Sequence, residues 1–544
     1  MIAIQISWRS WVVLTWVGAL VLLFSHLGDV PLRDWDEGLV ARVAEEISLR
    51  PFPGQLLPTL WGDHYLNKPP LIHGLIAAAI QLWRSSHGPE VSRQVPPEWL
   101  IRAVPAFCSS LIVPLVALVQ WRLRPGDRLA AVCTAAVSLT LLPLMRHGRL
   151  AMLDGSLIAA MTLQWWALLS LPRQPRAAEQ STWGVVAGLA GSAMLLIKAP
   201  TALPLLFGAC LLLACERRWP LQHWWPLLGW MGVGLLPGVL WHSWHLLERG
   251  PEALTMWGGQ GFARIMNAVE GHRDGVIVPV AEVLEGGWPW LALWPIAMVA
   301  ALRQRHERWG YWALGLTLLT AAAVLPLRTQ LPWYSHLLWP AFAVSVGPLF
   351  AQLIRRSDEQ PIWLARALKW LPCFWMLAGA LLLTVQGELN LPATITTPAG
   401  LALVVGGGLL MRPQPSQRHL GAAALVLLLW FALFGLFSSQ LWLWELQENW
   451  SVLEAVSGIE AQPQDLARAP VLLLQQDERP SLNWYLGQEL ISGHKGRREI
   501  RNGEAQQLAL SFDDPTNDRL SCTLLHKATT AKPQAPDLFR CQPN

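Results

Sequence analysis

Charge is scarce in this chain. Of 544 residues, 14% are Asp, Glu, Lys or Arg, against about a quarter in ordinary soluble domains. The apolar residues, 53% of the total, also lack an amphipathic period. They fall in uninterrupted blocks such as Val12–Leu27, Leu291–Leu302, Leu401–Leu410 and Ala422–Phe437. A large soluble enzyme can be rich in Leu, but its helices keep a polar face, so the pattern argues against that class. A helix needs roughly 20 apolar residues to cross a bilayer core, and the blocks approach that length. The first block is not followed by an A-x-A-like cleavage site and reads as a retained span, not a signal peptide. Many of the 33 Trp stand at block ends (Trp8, Trp11, Trp121, Trp219, Trp288), where a ring with an apolar body and an N–H suits the headgroup boundary. The net charge of +4 sums two compartments and selects no partner. No nucleic-acid partner is expected.

Arginine is unevenly distributed, and that orients the chain. Six short connections are basic: Arg122/Arg124/Arg128, Arg173/Arg176, Arg217/Arg218, Arg303/Arg305/Arg308, Arg355/Arg356/Arg366 and Arg412/Arg418. The positive-inside rule places them in the cytoplasm, with two spans between consecutive pairs. The spans run approximately over 11–28, 99–121, 128–146, 150–171, 182–198, 200–216, 223–246, 287–303, 309–326, 332–354, 366–385, 398–412 and 419–441. The expected fold is therefore a polytopic α-helical membrane protein with about thirteen transmembrane helices. Residues 1–441 form the transmembrane domain, with long outer loops at 29–98 and 247–286, and 442–544 form an extracytoplasmic soluble domain. The N-terminus lies in the cytoplasm. Leu71–Trp83 is apolar but short for a span and reads as an interfacial helix on the outer side. Arg146 and Arg149 fall outside, against the rule.

Cysteine is sparse too. Five of the seven lie in or beside spans, while Cys522 and Cys541 share the outer tail, where a disulfide is permitted.

The polar sequence able to carry chemistry collects on the outer side. Asp36 and Glu37 precede Leu39, Val40, Val43, Ala44 and Ile47, whose helical spacing predicts an amphipathic surface helix. Carboxylates in its first turn complement the helix dipole, and capping is the bland reading. Lys68 heads the short helix, where a Lys often snorkels. Asp154 lies just inside a span, at a depth where a carboxylate is costly enough to mark function. Lys198 ends a span beside Pro200, and Tyr334 opens another. Basic groups there suit the phosphate of an anionic lipid, and a neighbouring carboxylate can serve as general base. The chemistry suggested is group transfer from a phospholipid-linked donor.

This order of motifs resembles the GT-C glycosyltransferases of the protein O-mannosyltransferase and aminoarabinose lipid A transferase superfamily. The resemblance rests on Asp36-Glu37 with Ala44-Glu45-Glu46, on Asn67-Lys68-Pro69, on Arg149–Asp154, on Lys198 and on Leu331-Pro332-Trp333-Tyr334. In the tail, Arg479–Gly487 after the strand-like Val471–Leu474 is similar to the small α/β domain of the aminoarabinose branch. The resemblance implies an inverting transfer from a polyprenyl-phosphate sugar donor to a lipid, glycan or protein acceptor of the envelope. It implies Asp36 as base, Asp154 as a second acidic group, and Glu37 beside them. Donor-phosphate contacts would come from Lys68, Arg149, Lys198, Tyr334 and an Arg of the second long loop, Arg264 or Arg273. The chain departs from the aminoarabinose pattern at Gly38-Leu39-Val40, where Thr-Arg-Tyr stands in that branch, which weakens transfer to lipid A. The Glu and His that bind zinc in some relatives are replaced by Asn67 and Gly261, and a metal site needs Cys, His or carboxylate. No metal or other cofactor is expected; His272 is close enough in sequence to substitute as a ligand, but a solvated loop residue is the reading preferred. The alternative reading is a transporter or flippase of polyprenyl-linked sugars, but transporters place their polar groups near the bilayer midplane.

Overall fold

The computed structural model describes residues 7–87, 95–259, 275–356, 361–443, 452–463, 466, 471–474, 478–492, 507–516, 520–528 and 535–543. The chain divides into two compact units. One holds residues 1–26, 66–72 and 103–442, and the other holds 27–65, 73–102 and 443–544.

The first unit is helical, and its helices are those of a multi-pass membrane protein. Among the described residues, six are long and apolar enough to cross a bilayer: Glu98–Leu123, Ala177–Arg217, Pro332–Arg355, Ile362–Val385, Ala393–Leu410 and Pro415–Phe437. The pair Arg128–Leu139 and Leu142–Gly148, bent by 58°, makes a seventh if counted as one span. Trp8–Phe24 and Trp290–Arg303 are shorter apolar helices. Phe207, Leu211, Leu377 and Leu381 are each at least 60% exposed, a surface that hydrocarbon accepts and water does not. Pro332–Arg355 is the most enclosed of the six, buried along 89% of its apolar stretch.

Ala177–Arg217 is not one rod. Lys198 has non-helical backbone angles (φ −152°, ψ 76°), and Pro200 offers no N–H to the carbonyl four residues before it. A methyl group built on Gly191 would lie 3.0 Å from Leu206. A straight helix would hold those residues about 22 Å apart, so the chain folds back at Lys198. The neighbouring helix Leu221–Arg249 approaches closely through small residues. A Cβ on Gly188 would lie 2.2 Å from the Met231 carbonyl oxygen, and one on Gly234 would lie 2.4 Å from that of Val185. Small residues let backbones meet where no hydrophobic force drives helices together in lipid.

In the second unit, the tail shares a body with residues 27–65 and 73–102. The helix Leu39–Leu49 buries Val40, Val43, Ala44 and Ile47. The sequence reading laid this face on the membrane. Instead Val43 and Ile47 pack with Tyr65 and with Ala77 of the helix Leu71–His87. Glu46 on the same helix is buried and accepts from Thr59 Oγ1 (2.5 Å) and the Trp61 amide (2.7 Å). It thereby organises the hairpin of β1 (Thr59–Leu60) and β2 (Asp63–His64). Among its described residues the tail carries five further strands: β3 (Leu472–Leu473), β4 (Ile491–Ser492), β5 (Gln507–Ser511), β6 (Leu520–His526) and β7 (Asp537–Pro543). Their order is β4-β3-β5-β7-β6, with β3 parallel to both neighbours and β7 antiparallel to both of its own. Leu473, Leu508, Leu510 and Leu538 point to one face with Leu482, and Leu472, Ala509 and Phe539 point to the other. Cys522 and Cys541 stand opposite each other on β6 and β7 and are disulfide-bonded.

Candidate active site

Three carboxylates occupy one turn of the second unit, Asp34–Gly38, wound so that the Gly38 amide reaches back to the Arg33 carbonyl (2.7 Å). Like charges this close repel unless each is separately compensated. Glu37 is fully buried and is met by Arg102, also fully buried, through Nε to Oε1 and Nη2 to Oε2, both at 2.7 Å. The remaining donors of Arg102 go to the carbonyls of Leu27, Val30 and Pro31 at 2.8–2.9 Å. All five N–H groups of the guanidinium are thereby used. Asp34 is 5% exposed and accepts from Arg479 Nε, Ser481 Oγ and the Ser481 amide.

Asp36 is the carboxylate of the turn that stays half-buried, beside the exposed Trp35. Burial, and after it the charge of Asp36, pushes the Tyr65 phenol well above its ordinary range, so Tyr65 stays protonated. Of the two acids expected to do chemistry in this turn, Glu37 is thus committed to holding the backbone and Asp36 keeps access.

The first unit gathers a second group. Asp154 begins the helix Asp154–Ser170, where a negative charge meets the positive end of the dipole. Position 155 admits no side chain, since a Cβ there would lie 1.9 Å from Ser109 Oγ. The break at Lys198 turns its ammonium onto Asp154 Oδ1 at 2.9 Å, with both side chains partly exposed (17% and 14%). The same ammonium lies 5.1 Å from the centroid of the Tyr334 ring, which the 3-10 turn Pro332–Leu338 presents. Lys68 and His336 lie within electrostatic range of the Asp154 carboxylate. His336 is 2% exposed, its ring 4.0 Å from that of His147. Lys68, Asp154, Lys198 and Tyr334, from four distant stretches of sequence, therefore meet in one place.

Arg149 is turned to other partners. Its guanidinium is fully buried, donates to the carbonyls of Leu22, Ser25 (2.7 Å) and His26 (3.3 Å), and lies over the rings of Phe437 and Trp442. Leu22 lies in the last turn of the helix Trp8–Phe24 and Ser25 is its C-cap, a place that suits a cation. Arg146 is likewise buried and donates through Nε to the Trp442 carbonyl (2.7 Å). The two arginines that broke the positive-inside pattern thus cap carbonyls inside the protein. Arg264, Arg273, Gly261 and His272 lie outside the described residues.

Three residues of these clusters escaped the sequence reading: Arg102, His147 and His336. His336 stands two residues past Tyr334, a proximity that could have flagged it. Arg102 sits in an apolar helix with no local sign of its partner. Among the described residues, no three His, Cys, Asp or Glu side chains gather as metal ligands do.

Residues 62–247 match the family described as dolichyl-phosphate-mannose-protein mannosyltransferase. No curated protein sequence is similar enough to count as a match. The fold resembles the crystal structure of ArnT from Cupriavidus metallidurans bound to undecaprenyl phosphate, with 17% identity, 98% of each chain covered and a TM-score of 0.71. The apo state of the same protein gives 18% identity, 98% of each chain covered and again 0.71. The chain therefore shares the fold of that ArnT structure along nearly its whole length.

Proposed function

We propose that this protein is a membrane glycosyltransferase that moves a sugar from a polyprenyl-phosphate donor to an acceptor of the cell envelope. The observation that carries the reading is the convergence of Lys68, Asp154, Lys198 and Tyr334. Two ammonium groups and a Tyr ring around one carboxylate form a site whose cations suit a phosphate monoanion or diester. The likeness to a protein crystallised with undecaprenyl phosphate supports the class of donor.

In this reading the acceptor hydroxyl gives its proton to the Asp36 carboxylate as its oxygen attacks the anomeric carbon. The bond from that carbon to the phosphate oxygen breaks on the opposite face, so the centre inverts. Polyprenyl phosphate leaves, its new charge met by Lys68, Lys198 and Tyr334 with Arg264 or Arg273. Asp154 holds Lys198 in place until the phosphate competes for it. Glu37 and Arg149 are positioning residues, the first through Arg102 and the second through the end of the first helix. The chemistry takes place on the extracytoplasmic face, with about thirteen spans, the N-terminus in the cytoplasm and residues 442–544 outside. The acceptor is a lipid, a glycan or a protein. No metal or other cofactor enters the scheme.

The test is mass spectrometry of envelope lipids and glycoproteins from cells with the gene, without it, and with Asp36→Asn. One glycoconjugate should vanish in both altered strains while the variant accumulates normally in the membrane. A conjugate that survives Asp36→Asn removes Asp36 as the base.

A further inference from the structure

The second unit joins two segments separated by most of the chain, and their contact falls on the turn that carries Asp36. The helix Pro480–Leu486 of the tail and its leading residue supply three attachments to that turn. Arg479 Nε and Ser481 Oγ both donate to the buried Asp34 carboxylate, and the Ser481 amide adds a third bond at 3.2 Å. Gly38 closes the turn against the start of the same helix, where a Cβ would lie 2.7 Å from the Ser481 nitrogen. One turn further along, Tyr485 Oη accepts from the Leu32 amide (2.8 Å) and donates to Glu98 Oε1 (2.9 Å). Burial, and then the charge of Glu98, pushes the Tyr485 phenol up, so it remains a donor throughout the physiological range. Residues 32, 34 and 38 are thus tied to the tail, and Asp36 lies between them.

We infer that the tail module is a positioning element of the reaction: Arg479, Ser481 and Tyr485 hold the turn Asp34–Gly38 so that the Asp36 carboxylate keeps its working orientation. This rests on Asp36 being the base. The physical case is that a five-residue turn with three acids has no reason to hold one conformation alone. Within the turn, the Gly38 amide reaches the Arg33 carbonyl and the Arg33 amide reaches Glu37 Oε2 (3.0 Å), and Arg102 and the tail add restraints from outside it. Loss of one hydroxyl would let the carboxylate wander by a fraction of an ångström to an ångström, and misplacement on that scale costs about tenfold to a hundredfold in rate.

The experiment uses the full chain with Ser481→Ala, Tyr485→Phe and Asp36→Asn. Three quantities are read: turnover to the glycoconjugate that Asp36→Asn cells lack, affinity for undecaprenyl phosphate, and hydrogen exchange by mass spectrometry. Ser481→Ala and Tyr485→Phe should each lower turnover about tenfold or more. Exchange should quicken about fivefold over 32–38. Affinity for undecaprenyl phosphate and exchange in Pro332–Arg355 should stay unchanged. A merely structural role would lower the amount of folded protein and leave turnover per folded molecule intact, and that result overturns the inference. So does normal exchange over 32–38 in both variants. If Asp36→Asn cells keep every conjugate, the base reading itself has failed and the tail has no catalytic group to position. Faster exchange over 32–38 in the two tail variants would then still show that the tail holds the turn, which separates the two failures.

Discussion

Arg102→Leu should open the acidic turn, and the size of the effect follows from what the guanidinium does. Its five donors meet both oxygens of Glu37 and three backbone carbonyls, all at 2.7–2.9 Å in a fully buried setting. Removing one member of a buried ion pair costs about 3–5 kcal/mol, because the other charge stays buried without its counterpart. Each carbonyl that loses its donor adds about 1 kcal/mol unless water reaches it. Taking the pair alone, and about 1.4 kcal/mol per factor of ten, the opening equilibrium rises roughly a hundredfold to a thousandfold or more. Hydrogen exchange by mass spectrometry on the full chain in detergent should show that acceleration over residues 27–40. The helices of the first unit serve as the internal reference. Glu37→Leu combined with Arg102→Leu should cost less than the two single changes summed, since neither charge is then stranded. An acceleration below about tenfold in Arg102→Leu would refute the claim that this pair closes the turn.

Lys198→Met strands Asp154 and removes a phosphate contact, so affinity for undecaprenyl phosphate should fall about ten- to a hundredfold. Lys198→Arg should recover part of it, and unchanged binding in a titration would place the phosphate elsewhere. Gly188→Ala sets a methyl group 2.2 Å from the Met231 carbonyl oxygen, forcing two helices apart at about 1–3 kcal/mol. Gly232→Ala on the partner helix meets nothing within 4 Å and is the control in the same thermal-unfolding assay. Equal melting of the two would show that the close approach of these helices is not needed.

The membrane character of the chain was written in its sequence because it is a local property. A run of apolar residues of sufficient length carries the same meaning wherever the rest of the protein lies. The break at Lys198 was legible for the same reason, since Pro200 disturbs the helix through its own missing N–H. The pairing of Cys522 with Cys541 could be expected from their shared outer tail, and the antiparallel register of β6 on β7 brings it about.

The roles of the acids were not legible. Asp34, Asp36 and Glu37 look alike in sequence, and only the fold distinguishes them. Glu37 is matched with Arg102, 65 residues away, and Asp34 with Arg479, 445 residues away. No periodicity encodes such pairs, because the partner of a buried charge is chosen by which distant segments come together. The same holds for Arg149, whose motif suggested a ligand and whose guanidinium caps the first helix. It holds for the surface helix too, whose apolar stripe is covered by Tyr65 and Ala77. Sequence alone determined that this chain lies in a membrane and which polar residues were worth watching. Tertiary structure decided which carboxylate is left accessible, since burial and pairing depend on everything that packs around a group.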